Sequence, residues 1–429
     1  MRTGQRIVTA LADVLTDAVF RSIEVRRRGA EPEGATLILA SHGGGLADIL
    51  LVIRAARGFP RFLARDVIWK VPLGSAVMNA VGAIPVHRRQ DHHGEANNSG
   101  MFDATYEALA AGDVAAIYPE GESIPEPRLA PLRSGAARIA VGALRRGTDV
   151  TIAPMGLHFF DVSVLRSRAM VDCAEVFRIS DVVDRIEFEG AVSETNRALV
   201  DAVTEVFADR LGAVSNHFDN WEELRRMEVA ATIYLRQHRP EGAISYSEIA
   251  SMAAQLAGAT PALREEVDVA ATGFVSELEI LGLGPLDVPR GAMVNARLAR
   301  EAAAVGLLAP AAVVGFAVNA VGIIGLRLIS LSGIAPPTAA TVKPAFAALA
   351  FPASWAALAV LGLRYRGWPT AAVLTAIGPA SLGAAVRFGE QAQLLWRLGR
   401  ALHRARGPLA EQVNASRNRV IEAVDAAIA

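Results

Sequence analysis

Three long uncharged stretches near the C-terminal end restrict what this chain can fold into more than any other feature. Ala302–Leu326 holds one polar side chain, Asn319, in 25 residues; Pro344–Leu363 has no charge in 20 and Trp368–Val386 none in 19. An α-helix rises about 1.5 Å per residue, so each run matches a hydrocarbon layer about 30 Å thick. Core helices of a soluble domain are the alternative reading, but three such runs so close together point to a membrane-embedded region. Pro310, Pro352 and Pro379 fit bilayer helices when neighbours satisfy the freed carbonyls. The chain is 52% hydrophobic, too apolar for an average soluble enzyme, while its 20% of charged residues excludes a bare membrane bundle. A soluble domain joined to a membrane part is expected.

The soluble part shows a different rhythm. Short apolar runs of strand type occur at Leu37–Ala40, Arg61–Ala64, Val81–Val86, Val114–Tyr118, Thr151–Leu157 and Met170–Val176. Helix-like stretches separate them at Leu46–Arg57, Val71–Ala80, Phe102–Ala111 and Ser134–Leu144. This alternation predicts an α/β fold, a sheet flanked by helices, followed by a helical connector and a membrane-embedded helical region. The expected divisions are an N-terminal amphipathic helix (1–30), the α/β domain (31–210), the connector (211–300), the membrane helices (301–388) and a basic helical tail (389–429).

Ile7, Leu11, Val14, Leu15, Ala18 and Val19 share one helical stripe. That helix either lies on a membrane surface, with Arg26-Arg27-Arg28 near the headgroups, or packs on its own domain. Its apolar stretch is broken by Asp13 and Asp17 and lacks a clear cleavage site, so no signal peptide is expected. The formal net charge of −1 makes no case for nucleic-acid binding. The lone Cys173 permits no internal disulfide. Arginine supplies nearly all the positive charge alongside abundant alanine, a composition expected of a bacterial protein. Arg387, Arg397, Arg400, Arg404 and Arg406 follow the last apolar run and place the tail in the cytoplasm. Both flanks inside require an even number of crossings, so one of the three runs is expected to be re-entrant or interfacial.

Four motifs carry chemistry. His42 and Asp48 bracket Gly43-Gly44-Gly45 just after a predicted strand. A neutral imidazole takes a proton from an attacking hydroxyl, and a carboxylate on its other nitrogen fixes the tautomer. The glycines bring backbone N–H groups near a developing oxyanion. Gly82 begins Gly82-Ala83-Ile84-Pro85-Val86-His87-Arg88, whose arginine offers a fork for phosphate. Tyr118-Pro119-Glu120-Gly121-Glu122-Ser123 ends a buried strand with a carboxylate suited to orienting an acceptor or bracing an arginine. Arg128, Arg133 and Arg138 follow, and Pro154 lies later, in a position to shape a wall. His87, His92 and His93 match no strong zinc spacing, and no metal is expected. Cys173 has no local base and no Gly-x-Ser-x-Gly elbow appears, which argues against a covalent acyl-enzyme.

These motifs resemble those of the glycerolipid (PlsC-like) acyltransferase family, an H-x4-D, a G-x-I-x-x-x-R, an F-P-E-G and a later proline motif. The resemblance covers roughly residues 20–180. It implies His42 as general base with Asp48 as partner, and Arg88, Glu120, Gly121, Ser123, Arg133, Gly82 and Pro154 around the acceptor. It also implies transfer from acyl-CoA or acyl carrier protein to a phosphorylated glycerol, in phospholipid biosynthesis, with no cofactor, in a cell membrane with the site facing the cytoplasm. Five residues rather than four separate His42 from Asp48, Ser41 replaces an asparagine, and the arginine usual after P-E-G is missing. These departures resemble the branch of fungal-type glycerol-3-phosphate and dihydroxyacetone-phosphate acyltransferases and bacterial relatives. Leu129-Ala130-Pro131-Leu132-Arg133-Ser134-Gly135-Ala136-Ala137-Arg138 and Ala339-Ala340-Thr341-Val342-Lys343 are similar to stretches of that branch. A lysophosphatidate or lysophospholipid acyltransferase is the neighbouring alternative; a non-catalytic lipid-binding membrane protein with a degenerate acyltransferase fold is the alternative of another class.

Overall fold

Leu37, Ile38, Leu39 and Ala40 are all buried, and this double burden organises the first part of the molecule. Successive strand residues face opposite ways, so Leu37 and Leu39 enter one apolar cluster while Ile38 and Ala40 enter another. A strand apolar on both faces needs cover on both, which is the parallel-sheet arrangement. The computed structural model describes residues 12–13, 15–56, 59–70, 74–87, 98–122, 126–161, 164–239, 243–280, 293–334, 336–404 and 408–429. The chain divides into two compact units, Met1–Asn220 with Pro336–Thr341, and Trp221–Ala335 with Val342–Ala429.

The first unit contains β1 (Phe20–Arg27), β2 (Thr36–Ala40), α1 (Leu46–Ala56), β3 (Arg61–Arg65), a 3-10 turn (Asp66–Lys70), α2 (Gly74–Val81), β4 (Ile84–Val86), α3 (Ser99–Ala110) and β5 (Val114–Ile117). It continues through α4 (Gly135–Arg145), β6 (Thr151–Phe159), β7 (Ser167–Cys173), β8 (Phe177–Arg178), α5 (Ile179–Val183) and α6 (Arg197–Gly212). The strands form one sheet of order β1-β7-β6-β2-β5-β3-β4, with β8 also against β6. β4, β3, β5, β2 and β6 run parallel, whereas β7 is antiparallel to β6. α1 covers one face; α3, α4 and α6 cover the other. The carboxyl ends of β2, β5 and β4 therefore lie along one edge of the sheet, where α/β sheets place their sites.

Three strands depart from expectation. β1 replaces the end of the helix expected over 1–30 and pairs parallel with β7. Arg26 and Arg28 both grip Asp172, which is 1% exposed, instead of reaching toward headgroups. Burial pushes the Asp172 carboxyl up, but these two guanidiniums outweigh it and hold it below the usual range. Ala12, Leu15 and Val19 join the apolar cluster under α1, so the described part of the preceding helix packs on its own domain. β8 has two residues, too few to show a period. The strand expected over 81–86 begins later because Val81 closes α2 and Gly82, at φ +69, makes the turn.

The second unit is helical: α7 (Trp221–His238), α8 (Tyr246–Ala257), α9 (Pro261–Ile280), α10 (Met293–Val318), α11 (Ala320–Leu331), α12 (Pro336–Arg366, of which the residues from Val342 belong to this unit), α13 (Trp368–Arg404) and α14 (Pro408–Ile428). α7, α8, α9 and α14 pack on one another around Met227, Tyr246, Phe274, Leu278, Val420 and Val424. Among the described residues, three helices are long and apolar enough to cross a membrane, over Leu298–Val318, Thr341–Arg366 and Trp368–Arg400; α11 is apolar but shorter. The run expected to be continuous over 302–326 breaks at Asn319. α10 starts before 301, and α13 passes through 388 without interruption.

Candidate active site

β2 ends at Ala40 and α1 begins at Leu46, so the intervening glycine turn carries His42 while Asp48 sits in the first helical turn. A carboxylate there is favoured by the helix dipole. His42 Nδ1 lies 2.7 Å from Asp48 Oδ2. Gly44 N–H donates to both Asp48 oxygens, at 3.0 and 2.9 Å. A Cβ on Gly44 would stand 2.7 Å from the Phe159 ring and 2.8 Å from Asp48 Oδ1, so only glycine permits this approach. The extra residue between His and Asp is absorbed by Gly45, at φ +62, a conformation that glycine adopts readily. As a carboxylate, Asp48 accepts; Nδ1 then carries the proton and Nε2 keeps its lone pair. Gly44 is thereby removed from the set of oxyanion donors expected over 43–45. The N–H groups of Gly43 and Gly45 have no partner among the described residues.

β5 delivers the second half of the site. Glu120 is 2% exposed, with Oε1 accepting from His42 N–H at 2.7 Å and Oε2 from Ala130 N–H at 2.9 Å. Burial raises its pKa to about 7, against the pull of these two bonds. Glu120 is thus a brace between the His42 loop and the 126–134 segment. Gly121, at φ +77, leaves room for Arg133, whose Nε donates to Glu120 O at 3.1 Å. A Cβ on Gly121 would meet the Arg133 side chain at 2.6 Å. Arg133 also pairs with Glu122 at 3.1 Å.

His42, Gly121, Glu122, Arg133 and Arg138 line one cavity of about 950 Å³. Its polar wall continues through Arg65, His87 and the first turns of α3 and α4; Phe62, Ile68, Met101, Phe102 and Ile139 make the rest apolar. Ser41 is structural, its Oγ accepting from Leu157 N–H at 2.9 Å. Gly82 and Pro154 are not among the lining residues: Gly82 turns into β4, and Pro154 pairs with Leu39 inside the sheet. Arg88 and Ser123 lie outside the described residues. Burial pushes the Cys173 thiol to about 11, keeping it protonated and inert.

One residue escaped the sequence reading. The Tyr118 ring stacks on the His42 imidazole, centroids 4.2 Å apart and planes 18° apart. Its hydroxyl is buried with no partner among the described residues, and burial pushes its pKa well above the usual phenol value. An aromatic two positions before a strand-end glutamate was the available signal; only the fold shows that it faces the histidine.

Residues 22–158 match the family model described as Acyltransferase, and the chain carries a domain of that family. Over 144 residues it is 28% identical to Glycerol-3-phosphate O-acyltransferase 1 of Saccharomyces cerevisiae, covering 33% of this chain and 18% of that protein. Glycerol-3-phosphate O-acyltransferase 2 of the same yeast is 26% identical over 140 residues, 32% of this chain and 18% of that one. The matches thus span less than a fifth of either yeast protein. Among solved structures, the 1-acyl-sn-glycerophosphate (LPA) acyltransferase PlsC from Thermotoga maritima aligns with TM-score 0.31 and 16% identity, over 48% of this chain and 80% of that one.

Proposed function

We propose that this chain is a membrane-bound O-acyltransferase moving a fatty acyl group from a thioester, acyl-CoA or acyl carrier protein, to the hydroxyl of glycerol 3-phosphate or a related phosphorylated glycerol. The 2.7 Å contact between His42 and Asp48 at the wall of a large, mostly apolar cavity carries this reading. His42 Nε2 takes the acceptor's hydroxyl proton as its oxygen attacks the thioester carbonyl carbon. The N–H groups of Gly43 and Gly45 are the donors this reading gives to the developing oxyanion. The carbon–sulfur bond breaks, His42 returns the proton to the departing thiolate, and an ester and a free thiol result. The scheme uses protein groups alone, with no metal or prosthetic group.

Arg133, Arg138 and the first turn of α4 offer the acceptor's phosphate positive charge and N–H donors; Arg88 directly follows the cavity residue His87 in the sequence. The apolar wall suits an acyl chain. The likeness to the yeast enzymes supports glycerol 3-phosphate over the matched third of the chain. The apolar helices and the basic residues after the last run support a cell-membrane enzyme with its site on the cytoplasmic side, where both donors reside.

The test is acyl transfer by purified protein in detergent, read by mass spectrometry against glycerol 3-phosphate, dihydroxyacetone phosphate, lysophosphatidate and lysophospholipids. Glycerol 3-phosphate is expected to be acylated, and His42→Ala to abolish turnover without loss of folding. Turnover retained by His42→Ala would remove the mechanism; a preference for lysophosphatidate would reassign the acceptor.

A further inference from the structure

Length and composition mark three helices as able to cross a bilayer, but their packing assigns them different depths. We propose that α10 and α11 form a re-entrant helical hairpin that enters and leaves the same leaflet, so that only α12 and α13 cross. This rests on the membrane reading above and adds its topology.

Depth is read from register. α12 and α13 run antiparallel: Gly362 packs against Ala371 and Leu374, and Trp355 against Gly378. The uncharged part of α12, 344–363, is centred beside Ser354, and that of α13, 368–386, at Ile377. Trp355 and Gly378 therefore mark the middle of the hydrocarbon layer. Asn319 sits at this level. Its Oδ1 accepts from Trp355 Nε1–H at 2.8 Å, and its Nδ2 donates to Gly315 O at 2.9 Å and faces Gly378 O at 3.4 Å. α10 packs antiparallel to α13, with Gly315 against Ser381 and Ala385. Continuing that register, the stretch of α10 around Ala302–Leu308 lies beside the part of α13 that carries Glu390 and Arg397. Those charges belong outside the hydrocarbon. α10 therefore reaches the middle of the layer and stops.

α11 then leads back. Asn319 contacts Trp355, Gly322 packs on Phe351 and Gly325 on Phe346, so partners step toward the start of α12 as α11 advances. This is the end of α12 that the chain must reach. A broken helix at mid-membrane exposes backbone groups, tolerated only where protein buries them; Asn319 is 0% exposed. The lipid-facing side of the hairpin is apolar around its tip, with Val313, Val314, Phe316, Val321 and Ile324 exposed; the exposed Arg327 lies eight residues past Asn319, about 12 Å along α11 toward the layer's edge.

The flanks give an independent constraint. α14, after the membrane segment, packs on α7, α8 and α9, before it, and Ser416 Oγ donates to Glu277 at 2.6 Å. Helices sharing one core lie on one side of a membrane. The number of crossings is then even, as a hairpin plus two spans requires and three spans forbid.

Single cysteines placed in a Cys173→Ser background, in the full-length protein within native vesicles, test this with a membrane-impermeant maleimide. The exposed positions are Glu222, Ser332, Tyr365 and Glu422. Ser332→Cys, Glu222→Cys and Glu422→Cys are expected to label in the same vesicle orientation and Tyr365→Cys in the opposite one, with at least tenfold contrast. Labelling of Ser332→Cys from the face opposite Glu222→Cys, or of Tyr365→Cys from the same face, would overturn the hairpin while leaving membrane insertion intact. Release of the protein by alkaline carbonate, with all positions labelled in both orientations, would overturn the membrane reading itself.

Discussion

At the residue scale, the site depends on two carboxylates with opposite duties. Asp48 orients the imidazole through Nδ1 and takes Gly44 N–H, so Asp48→Asn offers one acceptor where two donors converge. The amide disfavours the tautomer with a basic Nε2, and kcat is expected to fall about 10²–10⁴-fold; a steady-state assay showing less than a fivefold loss would remove Asp48 from the mechanism. Glu120 receives N–H donors on both oxygens. Glu120→Gln turns an NH₂ toward one of them, a clash expected to cost about 1–3 kcal/mol. The wild type carries a pH signature as well. With a folded pKa of about 7 against 4.5, the unfolded chain loses this proton first as pH rises. Stability from this group is thus full below pH 4.5 and lost by about pH 7, a fall of roughly 3 kcal/mol. Denaturant unfolding in detergent at pH 5 and 7.5 should show that slope in the wild type and a reduced one in Glu120→Gln.

At the element scale, turns and breaks decide more than helices do. The expected strands at 37–40, 61–64, 114–118 and 151–157 were legible because buried parallel strands are short apolar runs with helices between them. β1 was missed because a stripe of helical period runs up to Val19 and masks the short alternation of Ser22 and Glu24 against Ile23 and Val25. The break at Asn319 was equally hidden, since one asparagine in a run of 25 otherwise apolar residues does not announce a helix end. Its partners do. Asn319→Leu removes the acceptor for Trp355 Nε1–H and is expected to cost about 1–3 kcal/mol. Thermal unfolding in detergent, followed by tryptophan emission, should show a lower midpoint; an unchanged midpoint would deny Asn319 this role.

At the scale of the whole molecule, the helices before and after the long apolar helices make one core, although about 130 residues of chain separate α9 from α14. Val420 is completely buried in that core. Val420→Asp places an unpaired charge there and is expected to destabilise the bundle by roughly 3 kcal/mol or more. Limited proteolysis should then cut within 408–428 well before the wild type is cut; equal cleavage rates would show that α14 adds nothing to the bundle.

The α/β class, the apolar helices and the pairing of His42 with Asp48 could be read from the residues alone, because each rests on local periodicity or on residue types a few positions apart. Tertiary structure alone decided that Glu120 braces the His42 loop from 78 residues away, that Tyr118 stacks on the imidazole, and that Gly44 is spent on Asp48 instead of an oxyanion. It also decided which apolar helix stops at mid-depth, since register between helices depends on glycines and one amide meeting partners far along the chain.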